Sequence, residues 1–389
     1  MINRLIVFIT ILLLPTQLGK HFWPSFSYVS GFRLDYLSPV VYLIDIVIAF
    51  YFLLNLSLII RFIKGHNRYL IPIAIFITLN TLFSLNPLAT FYLWSRWIFY
   101  IFWLVSLKVT SATVDQIIKP LSISVIMIVI LSILQIAAQS SVGGVFMYLG
   151  ERSFNQSTPQ VAKSILDGVI FLRPYATFSH PNSLAGYLLL SLYLLSLVKN
   201  TFFTRLICLI GIAITLSKTV IITTLIYLAG LLKKKVVMLI LTIPILVQIS
   251  PLFIDSITSL KDRYLLLSPI ANSLRQYPLF GVGLGGSFSY LVTYLPVNKI
   301  TPTNIQPVHN IILLWVSETG LAGLVFMIYI IRKLTSQKSS PALREILLII
   351  FLTGGFDHYW LTLPQNKLIL LLTIFIVYNK NKWTLKTHS

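Results

Sequence analysis

His309 and Asn310 close the run TPTNIQPVHN, immediately before a long apolar segment, and Arg263 and Arg275 precede them in the same polar stretch. A histidine titrates near neutral pH, so one held beside cations suits a general base acting on a hydroxyl. Guanidinium groups suit phosphate oxygens, because they donate in a fixed fork and never deprotonate. Together they point to binding of a diphosphate while a hydroxyl is deprotonated, with the leaving group met by cations where its charge develops. The plain alternative for His309 and Asn310 is a polar cap at a helix start.

Other polar residues in apolar surroundings extend the constellation. Arg173 leads into TFSHPN, where it suits an anion held at a membrane surface, while His180 and Asn182 fit interfacial caps equally well. Pro181 suits the first turn of a helix, which has no use for its missing N–H. Lys218 in ITLSKTVIITT sits at a tight hairpin, as an anion contact or as a lysine snorkelling to headgroups. Arg96, in FYLWSRWIFYIF, lies within an apolar run and needs a partner, for which Asp45 or Glu318 would serve. Glu318 falls on the opposite face of an ideal helix from His309 and is expected to pack inward. Asp357, His358 and Gln365, in GGFDHYWLTLPQNK, stand where they would close the site.

These residues must be positioned by an apolar scaffold. The 389-residue chain is 57% hydrophobic and 10% charged, whereas soluble domains carry about 25% charge. This composition predicts an all-α, polytopic helical membrane protein with about twelve transmembrane helices, and the absence of strand alternation excludes a β-barrel. The spans are expected near 4–19, 39–60, 69–86, 88–107, 117–138, 182–198, 203–217, 219–232, 236–250, 309–331, 344–356 and 364–379. Residues 1–389 then form one integral membrane domain with two long extracytoplasmic loops, 139–181 and 251–308. The second of these is expected to carry short interfacial helices and the catalytic residues.

A net charge of +20 invites a nucleic-acid reading. The Lys and Arg residues instead cluster in connections on one predicted side, a topological bias that places both termini in the cytoplasm. The expected location is the cytoplasmic membrane, with membrane lipids as partners and no nucleic acid. Cys208 is the sole cysteine and the six histidines are scattered, so neither a disulfide framework nor a metal motif is predicted, and no cofactor is expected. The run GVGLGG at 281–286 has neither dinucleotide-fold nor P-loop spacing, leaving either an anion cradle or a tight bend.

The combination RPYATFSHPNSLA at 173–185, the Ser-Lys turn at 217–218, Asp-Arg at 262–263, YPLFGVGLG at 277–285, and VHN followed by SETGLAG at 308–323 resembles the O-antigen ligase and polymerase superfamily. The resemblance implies a multi-pass enzyme of polysaccharide biosynthesis in the cell envelope. Such an enzyme moves a glycan from an undecaprenyl-diphosphate carrier to a hydroxyl on a glycan, lipid or protein acceptor at the outer face of the cytoplasmic membrane, without metal and with inversion. It makes His309, Arg263 and Lys218 the catalytic set, although the family's hairpin residue is usually arginine. Arg173, Asn182, Arg275, Asn310, Glu318 and Arg96 become substrate-binding. Ligase leads this reading, with a repeat-unit polymerase as alternative and a lipid-linked glycan transporter further behind.

Overall fold

The computed structural model describes residues 1–166, 168–231, 257–302, 304–336 and 340–383. It is mostly helical, but the helices are shorter than the apolar runs suggest. Among the described residues, three are long and apolar enough to cross a membrane, Pro87–Val109, Val114–Ala138 and Ile311–Thr335. A fourth qualifies only if Leu43–Leu54 and Leu56–Lys64, bent by 73°, count as one span. The expected twelve-span architecture is therefore not found, and the alternating topology with two cytoplasmic termini falls with it. The predicted span 236–250 lies outside the described residues.

Two physical reasons explain the overcount. At 1.5 Å per residue, the helices Ile2–Leu12, Phe202–Ile214 and Lys218–Leu231 reach only about 16–21 Å, well under a hydrocarbon core about 30 Å thick. The second reason is burial inside protein. Helix Pro181–Ser196 buries nearly every side chain from Ser183 to Leu195, packed against the helices at 114–138, 202–214, 218–231 and 364–383. A helix apolar on every side fits a protein core as well as lipid, and its composition cannot say which.

Local chemistry sets the helix starts. Asn86 caps 87–109 by accepting from the Ala89 N–H at 3.3 Å, ahead of Pro87 at the first helical position. Thr113 and Gln116 form a capping box on 114–138, which ends at Gln139 in the left-handed region. His180 caps 181–196, its Nδ1 accepting from the Asn182 N–H at 3.1 Å, with Pro181 next.

The fold is also not all-α. Gly19–His21 pairs antiparallel with Val40–Tyr42, Tyr28–Val29 with Phe32–Arg33, and Lys163–Leu166 with Val169–Leu172. The last hairpin and the short 3-10 turn Gly144–Leu149 occupy the 139–181 loop. In the 251–308 loop, helix Ile257–Gln276 runs through Pro269, followed by Gly286–Tyr294.

The glycine run resolves to a tight bend. Gly281, Gly283 and Gly285 all have positive φ, and the loop docks on a break in the 311–335 helix at Gly320, where φ is 65° and ψ is −165°. Val282 N–H donates to Ser317 O at 3.0 Å, and Ala322 N–H to Leu279 O at 3.0 Å. A Cβ at Gly320 would lie 2.4 Å from Leu279 O, in a backbone region open essentially to glycine alone. Gly320→Ala is expected to cost about 1–3 kcal/mol in backbone strain and a similar amount in overpacking. Thermal unfolding in detergent checks this, and an unchanged midpoint would contradict the packing described.

Candidate active site

Five separate stretches of chain converge on one cavity of about 380 Å³. Strand 19–21 and the segment leading from it to its partner strand 40–42 supply His21, Asp35, Tyr36 and Ser38. Helix 87–109 supplies Tyr92, Arg96 and Tyr100, and the loop before helix 181–196 together with that helix's first turn supplies Arg152, His180 and Asn182. Gln306 and His309 come from the approach to helix 311–335, and Asp357, His358 and Lys367 from the last turn and the helix after it.

At the centre is the Asp357 carboxylate. Its Oδ2 accepts from Asn182 Nδ2 at 3.0 Å and its Oδ1 from the His358 N–H at 2.8 Å. Burial would raise its pKa, but His358, His180 and His309 together hold it below the usual carboxylate value. The His309 and His358 rings meet edge to face, with centroids 5.1 Å apart. His358 Nδ1 lies 2.8 Å from Thr362 Oγ1, whose hydroxyl also lies 3.2 Å from His358 O. If that hydroxyl donates to the carbonyl, its oxygen accepts from Nδ1–H and the lone pair of a neutral ring falls on Nε2.

His180 is held differently. Burial, partly offset by Asp357, pushes its pKa down to about 4, and its Nδ1 already accepts from the Asn182 N–H. At neutral pH it is an uncharged imidazole with its proton on Nε2. The unfolded group binds a proton that the folded one does not between pH 4 and 6.5. Stability contributed here is therefore complete above pH 6.5 and lost as pH falls toward 4. His180→Asn keeps an acceptor for the cap and removes the titration. Thermal scans across pH 4–7 are expected to show the wild-type slope flattened in the variant by on the order of 1–3 kcal/mol, and parallel curves would contradict it.

A second tier braces this cluster. Arg173 Nη2 donates to Asn182 Oδ1 at 2.9 Å and Nε to Thr215 O at 2.8 Å, so it stands behind Asn182. Burial lowers its pKa to about 10, leaving it charged at neutral pH. Asn310 accepts from the Ile312 and Leu313 N–H groups at 3.0 and 3.1 Å and donates to Gly355 O at 3.2 Å. It thereby ties the start of helix 311–335 to the turn carrying Asp357. Tyr36 packs edge-on to His358, with centroids 5.7 Å apart. Burial, followed by Asp357, pushes its phenol up, so it remains a donor.

The structure thus brings together His309, Asn182 and Arg96 from the expected set. Arg96 is paired with Asp45 through 2.7 and 3.1 Å contacts, which decides between the two partners considered. Arg173 and Asn310 support the cavity from behind. Glu318 lines a small adjoining space of about 40 Å³ with Lys367, accepting from Ser287 Oγ at 2.6 Å. Lys218 begins helix 218–231 and does not line the cavity, although Arg173 contacts Thr215 close by. Arg275 is exposed at the end of its helix, and the Arg263 side chain lies outside the described residues.

His21, Asp35, Tyr36, Arg152 and Lys367 line the cavity without a local sequence signal, and Asp357 and His358 are central to the site, beyond the closing role expected of them. Gln365, expected beside them, is buried and ties Pro15 O to Thr177 O at 3.0 and 3.1 Å. One signal was available. His180, His309 and His358 each sit at a helix start beside Asn or Asp, in the pairs His-Pro-Asn, His-Asn and Asp-His. Among the described residues, no three His, Cys, Asp or Glu side chains converge so as to hold a metal ion.

No family model and no curated protein matches the chain. With three or four membrane-length helices among the described residues in place of about twelve, the resemblance to the O-antigen ligase and polymerase superfamily does not hold. The glycan ligase, polymerase and transporter functions drawn from it are withdrawn, as is the multi-pass placement in the cytoplasmic membrane.

Proposed function

We propose that the chain is an enzyme whose cavity binds a phosphate-bearing substrate and moves a proton at a hydroxyl during group transfer, with His309 as the base. The observation that supports this most is the Asp357 carboxylate set among three imidazoles in one cavity. A carboxylate beside a histidine orients the ring and favours its charged form after a proton is taken up. Arg152 and Lys367 both line the cavity and suit phosphate oxygens. Burial, then Arg96, lowers the Lys367 pKa to about 7, so a bound anion would hold it in its charged form. The N-terminal ends of helices 181–196 and 311–335 border the cavity, and their partial positive charge also favours an anion.

The roles follow from position. His309 accepts the proton as the hydroxyl oxygen bonds to the transferred group and that group's bond to the phosphate oxygen breaks. The phosphate leaves with the bonding electrons, and Asp357 stabilises the resulting imidazolium. Asn182 and Arg173 hold Asp357, and Asn310 fixes the distance between the two chain segments. Arg96 is neutralised by Asp45 and shapes the wall. Arg152 and Lys367 meet the phosphate, so binding is expected to persist in EDTA.

Calorimetry with inorganic pyrophosphate and the purified protein tests the binding half. Wild type is expected to bind, and Lys367→Gln to bind roughly 10–100-fold more weakly, from about 1.5–3 kcal/mol for a charge-assisted hydrogen bond. Arg275→Ala, at an exposed residue that does not line the cavity, is expected to behave as wild type. Equal loss in both variants, or no binding at millimolar pyrophosphate, would overturn the reading.

A further inference from the structure

The cavity leaves unused a second charged feature, the short helix Leu56–Lys64, with sequence LSLIIRFIK. It leaves helix Leu43–Leu54 at a bend of 73°. The bend is fastened by Asn55, whose Nδ2 donates to Tyr51 O at 2.9 Å and to Asn3 Oδ1 at 3.2 Å. Helix 43–54 has twelve residues and rises only about 18 Å, so turning there leaves its apolar run short of a crossing.

Placing successive residues about 100° apart puts Ser57, Arg61 and Lys64 within one narrow arc, with Leu56, Leu58, Ile59, Ile60, Phe62 and Ile63 around the rest. Only Ile59 is buried, on the side packed against helix 87–109. Leu56, Leu58 and Ile60 are exposed at 37%, 39% and 44%, and Arg61 and Lys64 are exposed beside them. The sequence holds no acidic residue between Asp45 and Asp115. A helix with apolar flanks on either side of a basic ridge, and no nearby carboxylate in sequence, has the chemistry of an interfacial anchor.

We propose that helix 56–64 lies along the surface of an anionic lipid bilayer, with its apolar flanks in the acyl boundary and Arg61 and Lys64 among the headgroup phosphates. The occupant is lipid, because the surface combines exposed aliphatic side chains with two cations that form no ion pair among the described residues, and is held roughly across the direction of the preceding helix. The bend at Asn55 thus divides one long apolar run into a helix too short to cross a bilayer and a surface anchor.

Spin labels placed singly at Leu56→Cys, Ser57→Cys, Ile60→Cys and Arg61→Cys, on a Cys208→Ser background, read this directly. The full-length protein is reconstituted in vesicles of phosphatidylcholine with phosphatidylglycerol, and label depth is measured from oxygen and nickel-chelate accessibility. Depth is expected to oscillate along the helix, with 56 and 60 in the acyl boundary and 57 and 61 at the headgroups. Depth changing steadily along the helix, by about 1.5 Å per residue, would show a crossing helix and overturn the proposal. Full water accessibility at all four positions would overturn it as well. In pure phosphatidylcholine the labels are expected to become shallower and more mobile, a difference that Arg61→Gln with Lys64→Gln should abolish. Identical readings in both lipid compositions with the native cations present would remove the anionic headgroup from the proposal.

Discussion

Asp45→Asn is expected to lower stability by about 3–5 kcal/mol, the range for breaking one partner of a buried ion pair. Asp45 and Arg96 have side-chain exposures of 8% and 13%, with a closest contact of 2.7 Å. Asp45 also accepts from the Tyr42 N–H at 2.8 Å, so it closes the start of helix 43–54 while neutralising Arg96 across on helix 87–109. The guanidinium lies over the Tyr42 and Tyr100 rings at 5.6 and 4.8 Å and also donates to the Tyr100 hydroxyl. Losing the carboxylate leaves that cation in an aromatic setting without its counter-charge. Thermal or denaturant unfolding in detergent measures the loss. Asp45→Leu with Arg96→Met is expected to recover most of it, since removing both charges removes the unpaired one. A single variant as stable as wild type would mean that the pair contributes nothing.

His309→Ala is expected to lower turnover by roughly 10²–10⁴-fold, the usual contribution of a general base. The assay uses a phosphate-ester donor on which wild type is active, with a hydroxyl acceptor. Pyrophosphate affinity should change little, because Arg152 and Lys367 remain. Asp357→Asn should likewise lose turnover, by removing the charge that faces His309, His358 and His180. Asn182→Asp would place a second carboxylate beside Asp357 and should also impair it. A His309→Ala protein with normal turnover would end the base assignment, even if pyrophosphate still bound.

His309, Asn182 and Arg96 were legible in the sequence because each is a polar residue in an apolar setting or at a helix start. Arg96 was legible down to a choice between two partners, since a buried arginine requires a carboxylate and few were available. Asp357 and His358 were visible at the edge of the site but not at its centre, because their place depends on how the last turn folds against the loop before helix 181–196. Residues 21–39 carry many aromatics between two apolar runs, and nothing local in that pattern marks His21 or Tyr36 as cavity residues. The hairpin 19–21 with 40–42 brings this segment to the cavity wall.

The architecture was harder to read than the site. Helix 181–196 has the composition of a membrane span yet is enclosed by protein, and helix 43–54 continues an apolar run that bends at Asn55. Hydropathy reports how much a segment avoids water, not whether lipid or other helices cover it. VHN and SETGLAG have straightforward local roles in this fold. Asn310 caps a helix, and Gly320 opens a break that receives the 281–286 loop.

The most direct measurement of the central claim is an imidazole ¹H–¹⁵N correlation experiment on the detergent-solubilised protein, titrated with inorganic pyrophosphate. Resonances of His180, His309 and His358, assigned by single substitutions, are expected to move together and saturate at one affinity. Exposed His66, stacked on Phe62 with centroids 4.2 Å apart, does not line the cavity and follows Arg61 and Lys64 in sequence. It reports any anion at that ridge and is expected not to share the cavity histidines' saturation curve. If saturating pyrophosphate moved only His66, or moved none of the cavity histidines, the phosphate-binding acid–base site described here would be wrong.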